Sequence, residues 1–169
     1  DLLGPGLDKL DGVVLGDIPP NPDKGGPVMA PDGSGGAIVA WAGTGGIKEI
    51  FAQKVTSDLA LPWGATPTVI GDHFELQYSP PAIAPDGSGG AIITGASDES
   101  NVHPDIQVRA QRVDANGTTG WESGGIVLVD GSDVGGDVWL RNSVYPVVAA
   151  DGTGGAFIVW RDWRNSGTD

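Results

Sequence analysis

Two apolar runs separated by a glycine-rich polar turn recur three times along the chain. The first pair spans Pro27–Trp41 (PVMAPDGSGGAIVAW); it returns without a gap at Pro81–Gly95 (PAIAPDGSGGAIITG) and at Pro146–Trp160 (PVVAADGTGGAFIVW). Each copy predicts a short strand, a turn at Asp-Gly-Ser/Thr-Gly-Gly, and a second, more apolar strand. In Ala37–Trp41 and Ala156–Trp160 the apolar positions are consecutive rather than alternating, the pattern of a strand covered on both faces. A third strand is predicted over 47–55 and again over 105–113, sharing Ala-Gln-Lys/Arg-Val at 52–55 and 110–113. A fourth follows Trp63 at Pro67–Asp72 and Trp121 at Gly125–Asp130. Gly12–Asp17 matches this fourth strand, with Asp8 where the tryptophan stands, so the N-terminal segment reads as the last strand of a repeat whose earlier strands are absent.

With the strands lettered A to D, the order is D, ABCD, ABCD, AB. A four-stranded unit of roughly 50–60 residues is the size of one propeller blade. The expectation is therefore an all-β fold of β-propeller blades with four antiparallel strands, two complete and one partial, belonging to a larger ring. Residues 1–26 supply the last strand of a preceding or closing blade, 27–80 the first blade, 81–145 the second, and 146–169 the first two strands of a third. Pro27, Pro81 and Pro146 stand where strand A begins and a missing N–H is tolerated. The extra length of the second unit falls near 97–103 and within 131–145, between strands, as a repeated scaffold permits. A β-sandwich is the competing all-β fold, and it does not account for a repeat at this period. The sequence ends near the point where a third strand C would begin. The chain is then either part of a longer one, or a neighbouring copy completes the open blade.

Composition sharpens this picture. Twenty-nine glycines and thirteen prolines, with no sustained 3.6-residue period, exclude a helical protein. The net charge of −13 argues against nucleic acid and anionic membrane as partners. There is no cysteine for disulfides or thiolate metal sites. No apolar run approaches the roughly 18 residues of a membrane helix, so membrane insertion is not expected. A start at Asp1, without Met or a signal peptide, fits a processed or excised piece.

The motifs and their spacing resemble a repeat of secreted and surface-exposed bacterial proteins, P-x-I-A-x-D-G-x-G-G-A-[IF]-[IV]-x-W, followed by D-I-x-x-x-A-Q-R-V and W-x-x-x-G. The resemblance implies a propeller of the broad sialidase-like kind, secreted or at the cell surface, and no particular activity. The sialidase Asp-box, S-x-D-x-G-x-T-W, is not matched: Asp32 is followed by Gly-Ser-Gly-Gly, and Trp41 lies too far on.

Asp32, Asp86 and Asp151, at the head of the three turns, offer one acid each, where a calcium loop needs several oxygens. The expected structure is an Asx-type turn, with the carboxylate accepting local amides and the glycines at positive φ. A denser acidic group, Asp130, Asp133 and Asp137, is the candidate calcium site. His73 and His103 have no zinc spacing, and no Ser or Thr is placed for a triad. Asn116-Gly-Thr118 fits a glycosylation sequon within a hairpin-like turn. A sialidase-like site would gather arginines from Arg109, Arg112, Arg141, Arg161 and Arg164. Trp160, Arg161, Asp162, Trp163 and Arg164 form the candidate ligand site, since aromatic faces beside Arg and Asp suit sugar or peptide recognition. The favoured function is a non-catalytic, extracellular or cell-surface module for adhesion or for glycan or protein recognition. Two alternatives stand beside it: a fragment of a sialidase-like propeller hydrolase, and a structural subunit whose open blade is completed by self-assembly.

Overall fold

The structure is a computed structural model and describes residues 12–16, 26–43, 49–71, 80–98, 106–129 and 145–161. Strands β1 (Val28–Pro31), β2 (Ala37–Ala42), β3 (Ile50–Val55) and β4 (Thr68–Gly71) form an antiparallel sheet in that order. Strands β5 (Ala82–Pro85), β6 (Ala91–Asp98), β7 (Ile106–Val113) and β8 (Ile126–Val129) form a second sheet of the same order. Strands β9 (Val147–Ala150) and β10 (Ala156–Val159) pair as a third, two-stranded sheet. Among the described residues there is no helix.

The three sheets are built to one register. Pro31 faces Ala37, Pro85 faces Ala91, and Ala150 faces Ala156 at the closed end of each first hairpin. A bulge shifts the pairing between Ile50 and Phe51 in the first sheet and between Val108 and Arg109 at the matching place in the second. Pro27, Pro81 and Pro146 each precede the opening strand by one residue, so no ladder hydrogen bond is lost.

Each sheet has a forward face, toward the next sheet in the chain, and a backward face, toward the one before. Successive side chains on a strand point to opposite sides. On the forward face of the first sheet, Ile38, Ala40, Ala42, Ile50, Ala52 and Ile70 form one core with Ala91, Ile93 and Val113 from the second. On its backward face Val39, Trp41 and Phe51 pack with Leu15. Both faces of β2 are therefore covered, as its unbroken apolar run predicts. The second sheet repeats the arrangement: Val108, Val129, Ala96 and Leu128 receive Trp160, the residue following β10. The alanines keep the sheets close, and the fully buried isoleucines (Ile38, Ile50, Ile70, Ile92 and Ile93) carry the apolar burial, at about 1.5–3 kcal/mol each. The opening strands lie side by side, with β5 between β1 and β9.

Residues 12–16 depart from the expected fourth strand, since none of them is in a strand. A fourth strand is fixed by its own third strand, and among the described residues none precedes it. Their packing is nevertheless that of a fourth strand. Leu15 sits against Trp41 on the first sheet as Leu128 of β8 sits with Trp160 of the third.

Candidate functional site

The three Asp-headed turns have one construction. Oδ1 of Asp32 accepts the Ser34 and Gly36 amides, both at 2.8 Å; Oδ1 of Asp86 accepts those of Ser88 and Gly90, also at 2.8 Å. Oδ1 of Asp151 accepts Thr153 at 2.7 Å and Gly155 at 3.0 Å. Each Asp amide in turn donates to the carbonyl of the glycine four residues on. Gly87 and Gly89, at φ of 77° and 87°, take the left-handed conformation this path requires, as do their counterparts in the other two turns. The Asx-type reading is thus the one the geometry bears out.

The second carboxylate oxygen meets a cation from the third strand. Lys54 Nζ lies 3.3 Å from Asp32 Oδ2, and Arg112 donates to Asp86 Oδ2 from Nε at 3.0 Å and Nη2 at 2.8 Å. In these two turns the second carboxylate oxygen is thus engaged by a side-chain cation. The carboxyl of Asp32 is held far below the usual range by the Ser34 hydroxyl and amide, against burial, with Gly36 and Lys54 adding to the effect. For Asp86, burial pushes the pKa up, and the Ser88 amide, Arg112 and the Gly90 amide together outweigh it. Asp151 is exposed, and its carboxyl is lowered chiefly by the Thr153 amide and hydroxyl.

The glutamine before each cation is buried and ties the third strand to the loop leading into the fourth. Gln53 Nε2 donates to the Gly64 carbonyl and Gln111 Nε2 to the Glu122 carbonyl, both at 2.9 Å. Gln111 Oε1 accepts the amides of Arg112 and Trp121. Contacts also run from one sheet to the next at this end. Lys54 Nζ donates to the Gly89 carbonyl at 3.1 Å, Trp63 Nε1 to the Ala115 carbonyl at 2.9 Å, and Thr68 Oγ1 to the Gly117 carbonyl at 3.1 Å.

An antiparallel sheet of order A-B-C-D puts its A–B and C–D turns at one end and its B–C and D–A connections at the other. The first end is the constant one just described, where each polar group named serves the turn, the strand or the next sheet. The second is where the repeat varies in length. Tyr145, Trp160 and Arg161 belong to that second end, flanking β9 and β10. Trp160 is half-buried against the second sheet, and the exposed Arg161 guanidinium lies over the Tyr145 ring, 5.9 Å from its centre. Tyr145 has a φ of 34°, a left-handed backbone unusual for an aromatic residue.

Of the five residues of the candidate ligand site, Arg161 is therefore brought to Tyr145 and Trp160 packs against the second sheet, while Asp162, Trp163 and Arg164 lie outside the described residues. The acidic group Asp130, Asp133 and Asp137 also lies outside them. Arg109 and Arg112 do not converge. Three residues apart on β7, they point to opposite faces, with Arg109 donating to Gln107 and the Gly124 carbonyl and Arg112 held by Asp86. Asn116 and Thr118 sit in a further Asx-type turn, their amides donating to Asp114 Oδ1. In comparisons with known proteins, no family model, no curated protein and no solved structure matches the chain.

Two features escape a reading of the sequence. The cation-to-aspartate clamp is foreshadowed only by Lys54 and Arg112 falling at the same step of the repeat. Tyr145 lies in the part of the second unit where nothing repeats, and no signal marks it.

Proposed function

We propose that the chain is a segment of a β-propeller, two four-stranded blades and part of a third, acting as a non-catalytic extracellular recognition module. Its ligand side is the variable end, with Tyr145, Trp160 and Arg161 as the contact residues. The observation that carries this reading is the division between the two ends. At the constant end the repeated aspartates, glutamines and cations are engaged in turns and in the joints between sheets. At the variable end the Arg161 guanidinium lies over the Tyr145 ring at the rim of the third sheet, and Trp160, next to Arg161 in the chain, packs against the second sheet. The blade reading is supported by the opening strands lying side by side while the sheets stack face to face. An aromatic face with a cation above it suits a glycan or a peptide, the aromatic by stacking and the guanidinium by paired hydrogen bonds.

The test is binding of the 169-residue chain to an array of neutral, sulfated and sialylated oligosaccharides. Arg161→Ala and Tyr145→Ala are compared with Ser88→Ala at the constant end. The reading expects Arg161→Ala and Tyr145→Ala each to weaken binding by about tenfold or more, with Ser88→Ala unchanged. Binding that ignores both substitutions, or no binding by the unaltered chain, contradicts the glycan form of the proposal.

A further inference from the structure

The aspartate-headed turn recurs once more at residues 114–118, between β7 and β8. Asp114 Oδ1 accepts the amides of Asn116 at 2.8 Å and Thr118 at 2.9 Å, and the Asp114 amide donates to the Thr118 carbonyl. Asn116 therefore stands in the third place of the turn, which Ser34, Ser88 and Thr153 hold in the other three. The matching turn of the first sheet, residues 56–60, has Asp58 there, followed by Leu59. Only at Asn116 is a neutral side-chain amide followed by glycine, and Asn116-Gly117 is the one such pair in the sequence. Asn116 is exposed, so water reaches it. In Asp32-Gly33, Asp86-Gly87 and Asp151-Gly152 the residue before the glycine is an acid held below its ordinary pKa, each accepting two amides. An ionised carboxylate offers an attacking nitrogen no leaving group.

The surroundings of Gly117 give this chemistry a structural consequence. A Cβ on Gly117 would stand 2.8 Å from Cγ of Trp63 and 3.2 Å from Thr68 Oγ1, so its backbone lies directly against the first sheet. Trp63 Nε1 donates to the Ala115 carbonyl at 2.9 Å and Thr68 Oγ1 to the Gly117 carbonyl at 3.1 Å, one on either side of Asn116. We propose that Asn116 is a self-modifying site, at which the Gly117 nitrogen closes onto the side-chain amide carbon and the product loosens the joint between the first two sheets. The Gly117 N–H gives its proton to water, a bond forms from that nitrogen to Asn116 Cγ, and the Cγ–Nδ2 bond breaks. The departing nitrogen takes up a proton and leaves as ammonia. Water then opens the cyclic imide at either carbonyl, leaving aspartate or isoaspartate with no change of oxidation state. The turn sets the pace, because the Gly117 amide is held by the Asp114 carbonyl at 3.1 Å and is freed only when the turn opens. The Thr118 amide, against burial, and then the amide and side chain of Asn116 hold the Asp114 carboxyl below its ordinary value. Either product replaces that side-chain donor with a second negative charge. Isoaspartate also adds a methylene to the main chain between the two carbonyls that Trp63 and Thr68 hold.

The test holds the folded chain in mildly alkaline buffer and follows the peptide containing Asn116 by mass spectrometry and isoaspartate assay. A zero-time sample corrects for what digestion adds. The unaltered chain is expected to convert progressively at Asn116, ahead of any isoaspartate at Asp32, Asp86 or Asp151. Asn116→Ser, which copies the third place of the Asp32 and Asp86 turns, is expected to leave this peptide unchanged. Asp114→Ala removes the acceptor of two amides and is expected to speed conversion by about tenfold or more. Trp63→Phe, which loses only the indole bond to Ala115, is expected to speed it less. Circular dichroism establishes that the variants are folded. After incubation the Trp63 indole N–H of the unaltered chain is expected to exchange faster with solvent, and that of Asn116→Ser to exchange as before. The proposal is overturned if Asn116 stays unmodified, or if the three Asp-Gly turns convert as fast. It is overturned equally if the converted chain keeps the indole exchange of the fresh one, or if neither folded variant converts faster than the unaltered chain.

Discussion

Arg112 holds Asp86 through two hydrogen bonds to one oxygen, at 3.0 and 2.8 Å, across 26 residues of sequence. The pair fastens the third strand of the second sheet to the turn joining its first two. Lys54 and Asp32 make the same connection in the first sheet, and Lys54 goes on to the Gly89 carbonyl of the next. One side chain thus serves both the hairpin and the joint between sheets.

Arg112→Ala leaves an oxygen of a side chain that is 0% exposed stripped of both bonds. Because Arg112 is itself 36% exposed, the loss is expected below the range for a fully buried pair, at about 2 kcal/mol. Arg112→Lys restores the arrangement seen at Lys54 and should recover about half of it. Chemical denaturation of the two variants measures both values.

Acid should unfold the protein through its turns. Asp32, Asp86, Asp114 and Asp151 all have carboxyls lowered from the ordinary value of 3.8. The unfolded chain therefore takes up protons first as pH falls. The stability these groups contribute is complete above about pH 4 and is lost as pH drops through their folded values. Melting temperature is expected to be insensitive to these groups between pH 7 and 5 and to fall steeply below about pH 4. In Asp86→Asn that acid limb should be shallower, which calorimetry over a pH series would register.

Gly90 and Gly87 occupy one turn for different reasons. A Cβ on Gly90 would run into the Val113 carbonyl oxygen and stand 2.7 Å from Asp86 Oδ2 and 2.9 Å from the Asp114 Cα. Nothing lies within 4 Å of a Cβ on Gly87, whose φ is 77°. Gly90→Ala should cost about 3 kcal/mol through overpacking, and Gly87→Ala about 1 kcal/mol through the left-handed backbone alone. Urea midpoints of the two variants should fall in that order.

Gln111→Leu removes the partner of two amides and a carbonyl in a position that is 1% exposed. A loss of about 2–3 kcal/mol is expected. Gln53→Leu, with two such bonds, should lose less. Hydrogen exchange at Trp121 should accelerate in the first variant, because its amide loses the Gln111 acceptor.

The hairpins were legible because their signals are local: an Asp to accept amides, glycines at positive φ and a run of apolar residues are read within one stretch. The same logic gave the extent of the sheets less well. β6 continues past Gly95 to Asp98 because β7 begins at Ile106 and pairs with it to the end, and a partner strand's reach is not written in the strand itself. Lys54 and Arg112 look like solvated strand residues until the fold brings Asp32 and Asp86 to them. The ligand-site reading of Trp160–Arg164 identified Arg161 but not its partner Tyr145, which lies two residues before β9, on a separate stretch of the chain.

The central claim is that each sheet's forward face takes the backward face of the next, with β2 covered on both sides. Methyl and aromatic nuclear Overhauser effects test it most directly. The account predicts cross-peaks from Ile38 to Ile93 and from Trp41 to Leu15, with none joining Leu15 to Ile93. Contacts from Ile38 and Trp41 to the same partner layer, or no contact between Ile38 and Ile93, would contradict it.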